Sequence, residues 1–482
     1  MTQLIIVVID GLQPAQINEY YAPNIHRFGA EGCFFENHHP VFPSVTRVNA
    51  ATMVTGTNPS LHGLFGNTFV PSDFDSSRVL NAMEPELSEI ASSGNRVLLT
   101  RTIQEILLEH GKEYMAVGVG TSGNAYCHNP MGEIVGGATI HPDFSIPHDL
   151  HGQIKEMYGD WPAEGLPNSP RFRHAMNVFT NHILGECDPD VALIWSSEPD
   201  KSQHVYGVGS GRSNLALTEV DLMFAELLSY IESSENCRDA DVLVLSDHGY
   251  SSIVESIGLT DSLSKEGYRF GFRKGELLLA PNGGSFHIYV GESDHATAEK
   301  VVDWLMEQMW CGVIITSDKI GPIEGTISAS EIGFEGIRTP DITVSMRWNS
   351  RVNPSGFRGY VYSIGGGIDM GTHGSMSRYE MNNVLLARGS SFRSHERIIT
   401  PTGNVDILPT ILQIMGIPIP GDIQGRVITE SLKGYDPDIS ARMNRFEASK
   451  NCQSGVFQQY IEMSEVGETQ YITEGNSWCQ EG

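Results

Sequence analysis

Three short apolar runs, each closed by polar or acidic residues, constrain this chain more than any other feature. They are LIIVVID (4–10), VALIWSS (191–197) and DVLVLSDHG (241–249). Runs this continuous and this rich in β-branched residues describe strands buried on both faces, as in a parallel sheet covered by helices. Between them lie segments with a 3.6-residue rhythm. From Leu215 to Ile231, for example, Leu217, Val220, Met223, Phe224, Leu227 and Leu228 fall on one face. The alternation predicts an α/β fold, with a mostly parallel central sheet sandwiched by helices.

Two stretches break the alternation. Residues 120–170, dense in Gly, Pro and His, read as loop. Residues 260–340 hold a strand in SFHIYVGE (285–292), then a helix from Ala296 to Met309, then a Gly/Ser-rich stretch. That pattern predicts a smaller cap inserted into the main domain. The expected division is a core over 1–258 and 340–430, a cap over 259–339 and an extension over 431–482. The core rhythm is expected to resume at Ile342, with a strand in NNVLLARG (382–389) and a helix in NVDILPTILQIMG (404–416). Past Leu432 the apolar content thins. The extension is then either a surface wrap or an oligomer contact, which leaves a homodimer open.

Composition excludes several classes. With 31 basic against 59 acidic residues, the formal net charge is −28, and such a chain repels nucleic-acid backbones. Groove binding to nucleic acid is therefore not expected. Seven cysteines are widely spaced with no CxxC, so a thiolate metal site is not expected and free thiols are. A Cys452–Cys479 disulfide stays open. No run approaches the roughly 18 apolar residues of a membrane span. The apolar start, Leu4–Ile9, lacks the flanks of a signal peptide. A cytoplasmic location and no membrane partner are the resulting expectations.

Ligands of open α/β sheets sit at the carboxyl ends of the strands. Asp10, Asp200, and the adjacent Asp247 and His248 fall at or just past such ends. Taken alone, Asp10 serves as a helix cap or turn residue as readily as a ligand. Two adjacent polar groups at 247–248 must both find partners, which is rarer. In EPDKSQH (198–204), Asp200 and His204 stand four apart, so one helical turn would aim both at one metal ion. The alternative is an exposed polar loop. His373 lies between glycines in MGTHGS (370–375), where backbone can approach a ligand closely, although a lone loop histidine is often only solvated. The segment PVFPSVTRVNAATMVTG (40–56) reads as a helix entry and helix, with Thr46 in the first turn. Thr46 is either a capping hydroxyl or a nucleophile facing an anion at the helix N-terminus. Three Asp and three His divide naturally into two sets. Oxygen and imidazole donors without thiolate suit Zn²⁺, with Mn²⁺ or Fe as alternatives.

Taken together, VVIDGL (7–12), APNIHRFGAEG (22–32), FPSVTRVNAATMVTGTNPSLHG (42–63), Asn67, EPDKSQHVYG (198–207), SDHGY (246–250), TPDI (339–342) and THGS (372–375) resemble the alkaline phosphatase superfamily. Within it the chain is most similar to the nucleotide pyrophosphatase/phosphodiesterase branch, over residues 1–430. The resemblance implies one divalent metal held by Asp10, Thr46, Asp247 and His248. It implies a second held by Asp200, His204 and His373. Thr46 would be the nucleophile of a covalent intermediate, and Asn67 would hold a non-bridging phosphate oxygen with the Thr46 backbone N–H. The substrate would be a small phosphodiester, nucleotide or phosphonate.

Departures sharpen the choice. Ser44-Val45-Thr46-Arg47 lacks the proline of the sulfatase motif. Thr46 and Asn67 replace the serine and phosphate-clamping arginine of true alkaline phosphatases, and Arg47 either follows the diesterase pattern or faces away. Phosphonoacetate hydrolase shares Thr, metals and Asn but uses lysines to hold a carboxylate. VGVGTSGNAYCHNP (117–130) has no lysine, leaving Lys112 and Lys274 as candidates. A non-catalytic binding protein of the same fold is the remaining alternative. Phe65, Phe69, Tyr126 and Tyr206 either stack on a leaving group or belong to the core.

Overall fold

The computed structural model describes residues 3–436 and 439–480. Its centre is a nine-stranded sheet. The strands run in the order Glu396–Ile398, Cys33–Phe35, Leu385–Arg388, Asp241–Leu245, Leu4–Ile9, Val191–Ser196, Tyr114–Gly118, Ala138–Ile140 and Ser145–Ile146. The five from Asp241–Leu245 to Ala138–Ile140 are mutually parallel. Leu385–Arg388 and Ser145–Ile146 run against their neighbours. The first strand is buried at every residue, as a central parallel strand with helices on both faces must be. On one face, Ile5, Val7 and Ile9 pack with Leu217, Val220, Phe224 and Leu227 of the helix Gly211–Ser233. On the other, Leu4, Ile6 and Val8 join the core that includes Ala50 and Met53 of the fully buried helix Thr46–Thr55.

The stretch 120–170 is not the loop expected. It forms the helices Ser122–His128 and Leu150–Tyr158, and the two strands that finish one edge of the main sheet. Its glycines serve packing rather than flexibility: a Cβ on Gly123 would collide with the Ala82 carbonyl.

The strand Ile342–Met346 does not return to the core sheet. It lies inside a separate six-stranded sheet, ordered Arg269–Phe270, Glu276–Asn282, Ser285–Val290, Ile342–Met346, Cys311–Thr316 and Ile327–Ser328. The helix His295–Met306 supplies Val301, Val302 and Leu305 to its core. A buried strand reads alike in either sheet, so an apolar run could not reveal which sheet it joins. A further four-stranded sheet links Ser251–Ser256 to segments 348–352, 358–363 and 371–372. The main sheet resumes only at Leu385.

The C-terminal extension is an antiparallel meander of Arg442–Cys452, Gly455–Val466 and Thr469–Gln480. In its middle strand Phe457, Gln459, Ile461 and Met463 point inward in the period of two that a half-buried strand requires. The Gln459 amide grips the Ile314 backbone at both ends, accepting from N–H at 2.6 Å and donating to C=O at 3.2 Å. The extension therefore wraps cap and core together. All seven cysteines are free, Cys452 and Cys479 included. Among the described residues no helix is long and apolar enough to cross a membrane.

Tyr471 anchors this wrap. Its hydroxyl donates to Asp406 Oδ2 at 2.7 Å and accepts from Arg426 Nε at 3.0 Å. Burial raises the Asp406 carboxyl to about 6 despite Arg426 beside it. Tyr471→Phe is expected to cost about 1–3 kcal/mol in a denaturant titration, because Asp406 Oδ2 keeps only the Gly403 N–H and Arg426 Nε loses its acceptor. The far-UV circular dichroism should stay unchanged, and an unaltered midpoint would show that the contact contributes nothing.

Candidate active site

The sheet register brings the acidic residues together. Val8 pairs with Leu245 and Ile9 with Ser196, so three strands end level. Asp10 follows immediately, and its N–H bonds to Ser196 O at 3.2 Å. Asp200 opens the helix Asp200–Tyr206, with its N–H on Asp10 O at 3.1 Å. Gly11 turns the chain with φ +67, where a Cβ would stand 2.8 Å from the Tyr250 ring. Its N–H donates to Asp247 Oδ1 at 3.0 Å.

The two sets of ligand-type residues form two clusters. Asp200, His204 and His373 offer one ligand atom each, all within 4.8 Å of one another, and Asp10, Asp247 and His248 do the same. The clusters touch, since the rings of His248 and His373 stack at 3.7 Å and 13°. Thr46 Oγ1 lies 3.2 Å from His248 Nε2. All seven residues singled out in the sequence are thus in one place. Asn67 joins them: its Oδ1 accepts from the Arg47 backbone N–H at 3.3 Å, which leaves its Nδ2 to donate elsewhere. The Thr46 N–H, at the start of the helix Thr46–Thr55, has no partner among the described residues. A helix N-terminus with a free donor favours an anion.

Each histidine is oriented through Nδ1 on a backbone carbonyl: His204 on Gly371 at 3.1 Å, His248 on Gly249 at 2.9 Å, and His373 on Ser44 at 2.8 Å. That arrangement turns every Nε2 toward the carboxylates. Gly374, at φ +112, lets the His373 loop pass against the Asn282 carbonyl of the cap sheet. Sequence reasoning assigned no role to Trp195, whose Nε1 donates to Asp10 Oδ2 at 2.9 Å. Nor did it assign one to Tyr250, whose hydroxyl donates to Asp200 Oδ1 at 2.8 Å. The tyrosine was visible in SDHGY as part of a motif. The tryptophan was hidden in a strand and carried no signal of its own.

Electrostatics show which ions the site favours. Burial, then the facing Asp247 and Asp200 carboxylates, push the Asp10 carboxyl well above its usual range. Burial also opposes ionisation of Asp200, but His204, His373 and His248 outweigh it and hold that group low. Burial pulls His373 well below its usual range, and His248 adds to the pull. Burial lowers His204 and His248 too, yet Asp200 raises the first and Asp247 the second above ordinary imidazole. Asp10 Oδ1 and Asp247 Oδ2 are buried and share a neighbour of opposite tendency, His248 Nε2, at 3.7 and 3.1 Å. Orphaned carboxylate oxygens facing one another beside imidazole Nε2 atoms are a donor set for divalent cations, which would remove the repulsion. The side chain of His204 is 42% exposed, whereas those of Asp247 and His248 are 0%. The site is therefore open at the His204 end.

Several residues stand elsewhere. Lys112 pairs with Asp190 at 2.6 Å, just before the amino end of the strand Val191–Ser196, so it lies at the far end of the sheet. Lys274 is an exposed partner of Asp294. Neither lysine named for a carboxylate-bearing phosphonate reaches the site. Phe65, Phe69 and Tyr126 are buried in the core rather than free to stack on a ligand. Arg212 stacks on the Tyr206 ring at 4.6 Å. Arg47 is buried, and its guanidinium turns to Asn67 O, Asn81, Met83 and Thr121.

A family model described as Type I phosphodiesterase / nucleotide pyrophosphatase matches residues 4–349. A bis(5'-adenosyl)-triphosphatase of Xenopus laevis is 23% identical over 430 residues, which are 86% of this chain and 78% of that protein. An uncharacterized pyrophosphatase/phosphodiesterase of Schizosaccharomyces pombe is 21% identical over 249 residues. Those cover 51% of this chain, and this chain spans less than half, 44%, of that relative. Murine ectonucleotide pyrophosphatase / phosphodiesterase 5, solved as an inactive variant in complex with AMP, superposes with a TM-score of 0.62 at 16% identity. The match covers 87% of this chain and 96% of that one, and it shows the shared fold.

If Asp10 is held by Trp195 as the geometry indicates, Trp195→Phe should keep the fold and weaken divalent-metal retention about 10-fold or more, by analogy with other groups that orient metal ligands. Metal content after dialysis measures it, and unchanged retention would remove Trp195 from the site.

Proposed function

The chain belongs to the Type I phosphodiesterase / nucleotide pyrophosphatase family, and from that premise we propose that it is a two-metal hydrolase of phosphodiester or pyrophosphate bonds, with Thr46 as nucleophile. One observation carries the reading: two three-residue ligand clusters touch through the rings of His248 and His373, and Thr46 Oγ1, on a helix N-terminus whose N–H has no partner among the described residues, stands 3.2 Å from His248 Nε2. Asp10, Asp247, His248 and Thr46 would hold one cation and Asp200, His204 and His373 the other, with Zn²⁺ the best fit and Mn²⁺ or Fe as alternatives. When bound, such a pair neutralises the carboxylates, lowers the pKa of the threonine hydroxyl and stabilises the leaving oxygen.

The protein's own groups account for the rest. Thr46 Oγ1 attacks phosphorus and gives up its proton, which ends on the leaving oxygen as that oxygen's bond to phosphorus breaks, and a phospho- or nucleotidyl-threonine remains. Water then attacks the same phosphorus and returns Thr46 as the free hydroxyl. The Thr46 N–H and Asn67 Nδ2 would donate to non-bridging oxygens. A neutral amide there suits a diester, with one charge, better than a monoester, with two. The AMP complex of the murine relative supports a nucleotidyl substrate of modest size.

An activated aryl phosphodiester should be hydrolysed with a higher kcat/KM than the matching monoester. Activity should vanish with a chelator and return with Zn²⁺. Clear preference for the monoester would contradict the diesterase reading. Thr46→Ala should abolish turnover while metal content stays near two per chain, and Asn67→Ala should lower kcat/KM about 100-fold, as loss of one such donor does elsewhere.

Metal loading should also depend on pH. His204 and His248 are raised above ordinary imidazole in the metal-free chain, and only the neutral ring binds a cation. Retention should therefore fall as pH drops from the alkaline side through a range that lies above the ordinary imidazole value. Retention unaffected between pH 8 and pH 5 would exclude these histidines as ligands.

A further inference from the structure

Arg47 follows the nucleophile directly, yet its guanidinium contacts no group of the two ligand clusters. Nη1 donates to Asn67 O at 2.9 Å and Asn81 Oδ1 at 2.9 Å. Nη2 reaches Met83 Sδ at 2.9 Å, and Nε reaches Thr121 Oγ1 at 3.3 Å. Every partner is neutral, and Arg47 forms no ion pair among the described residues. At 7% exposure this is a buried cation with no carboxylate in contact, and Glu86 acts on it only from a distance, an arrangement that costs stability and calls for a reason.

The reason lies in where its bonds end. Arg47 holds Asn67 twice: its backbone N–H binds the side-chain Oδ1, and its guanidinium binds the main-chain oxygen. The first bond fixes which way the amide faces. The second fixes the loop that carries it, together with Ala82 N–H on the same oxygen at 2.8 Å. The next residue, Thr68, is tied to the cap by Asn282, with bonds of 2.9 and 3.1 Å to both ends of its backbone. The loop is thus clamped from the cap on one side and from the nucleophile helix on the other.

We propose that Arg47 is a positioning residue which locks Asn67 to the nucleophile helix, so that the amide Nδ2 and the Thr46 N–H keep a fixed separation suited to one phosphate. The inference rests on the phosphodiesterase reading for its kinetic consequence but not for the clamp itself. An aliphatic side chain at 47 would leave Asn81 Oδ1 without its donor and Asn67 O with one donor instead of two. The loop could then shift, and displacements near 1 Å cost about 100-fold in reactions of this kind.

Two measurements on the full chain test it. Hydrogen exchange of the metal-free protein reads the clamp without any turnover. Arg47→Met should speed exchange in peptides covering residues 66–83 and leave those of the central sheet unchanged. Unaltered exchange in 66–83, or faster exchange everywhere, would overturn the proposal. A double-mutant cycle reads the coupling. On an aryl diester, Arg47→Met should lower kcat/KM at least about tenfold in the native background and less than about threefold beside Asn67→Ala. Losses of equal size in both backgrounds would overturn it. If Arg47→Met does not fold, Arg47→Lys keeps the charge, loses the fork and enters the same two measurements with the same outcomes. A native protein inactive on diesters would refute the proposed function, and the exchange result alone would then judge the clamp.

Discussion

Mutual repulsion among Asp10, Asp200 and Asp247 is the constraint around which the site is arranged. Three carboxylates at the end of a sheet, Asp10 and Asp247 buried and Asp200 half-buried, are a liability unless something positive joins them. The chain answers in part with its own groups. Trp195 and Gly11 donate to two of them, Tyr250 to the third, and His204 and His248 are drawn toward protonation. What stays unanswered is specific: Asp10 Oδ1 is buried with no hydrogen-bond partner, and Asp247 Oδ2 has only the His248 Nε2 beside it at 3.1 Å. The same two oxygens belong to residues of one ligand cluster, which is why divalent cations fit the remaining need.

The second organising element is the junction between cap and core. Gly374 against Asn282, and Asn282 against Thr68, connect the His373 loop and the Asn67 loop to one strand of the cap sheet. The C-terminal meander reinforces that junction from outside, through Gln459 on Ile314 and Tyr471 on Asp406. A site assembled from segments as distant as 10, 46, 200, 247 and 373 depends on such bracing, because small displacements of any segment separate the clusters.

Much of this was legible in the sequence. Strands buried on both faces announce themselves by continuous apolar runs, and Leu4–Ile9, Val191–Ser196 and Asp241–Leu245 stand where those runs fall. The polar residues that end them were readable as a set for the same reason. Sheet membership was not readable: Ile342–Met346 is as apolar as a core strand but belongs to the cap, since pairing partners are set by tertiary packing. Gly, Pro and His in 120–170 suggested loop, yet there they mark close packing between short helices. The contacts of Trp195 and Arg47 were invisible because each is a single residue whose meaning lies in a partner far along the chain.

The central claim is that Thr46 bonds covalently to phosphorus. The most direct measurement is mass spectrometry of the zinc-loaded protein quenched in acid during turnover of a nucleotide aryl diester. The account predicts a nucleotidyl mass increment on the peptide that carries Thr46, absent from Thr46→Ala. Turnover by the native protein with no adduct at Thr46, together with hydrolysis retained in Thr46→Ala, would contradict it.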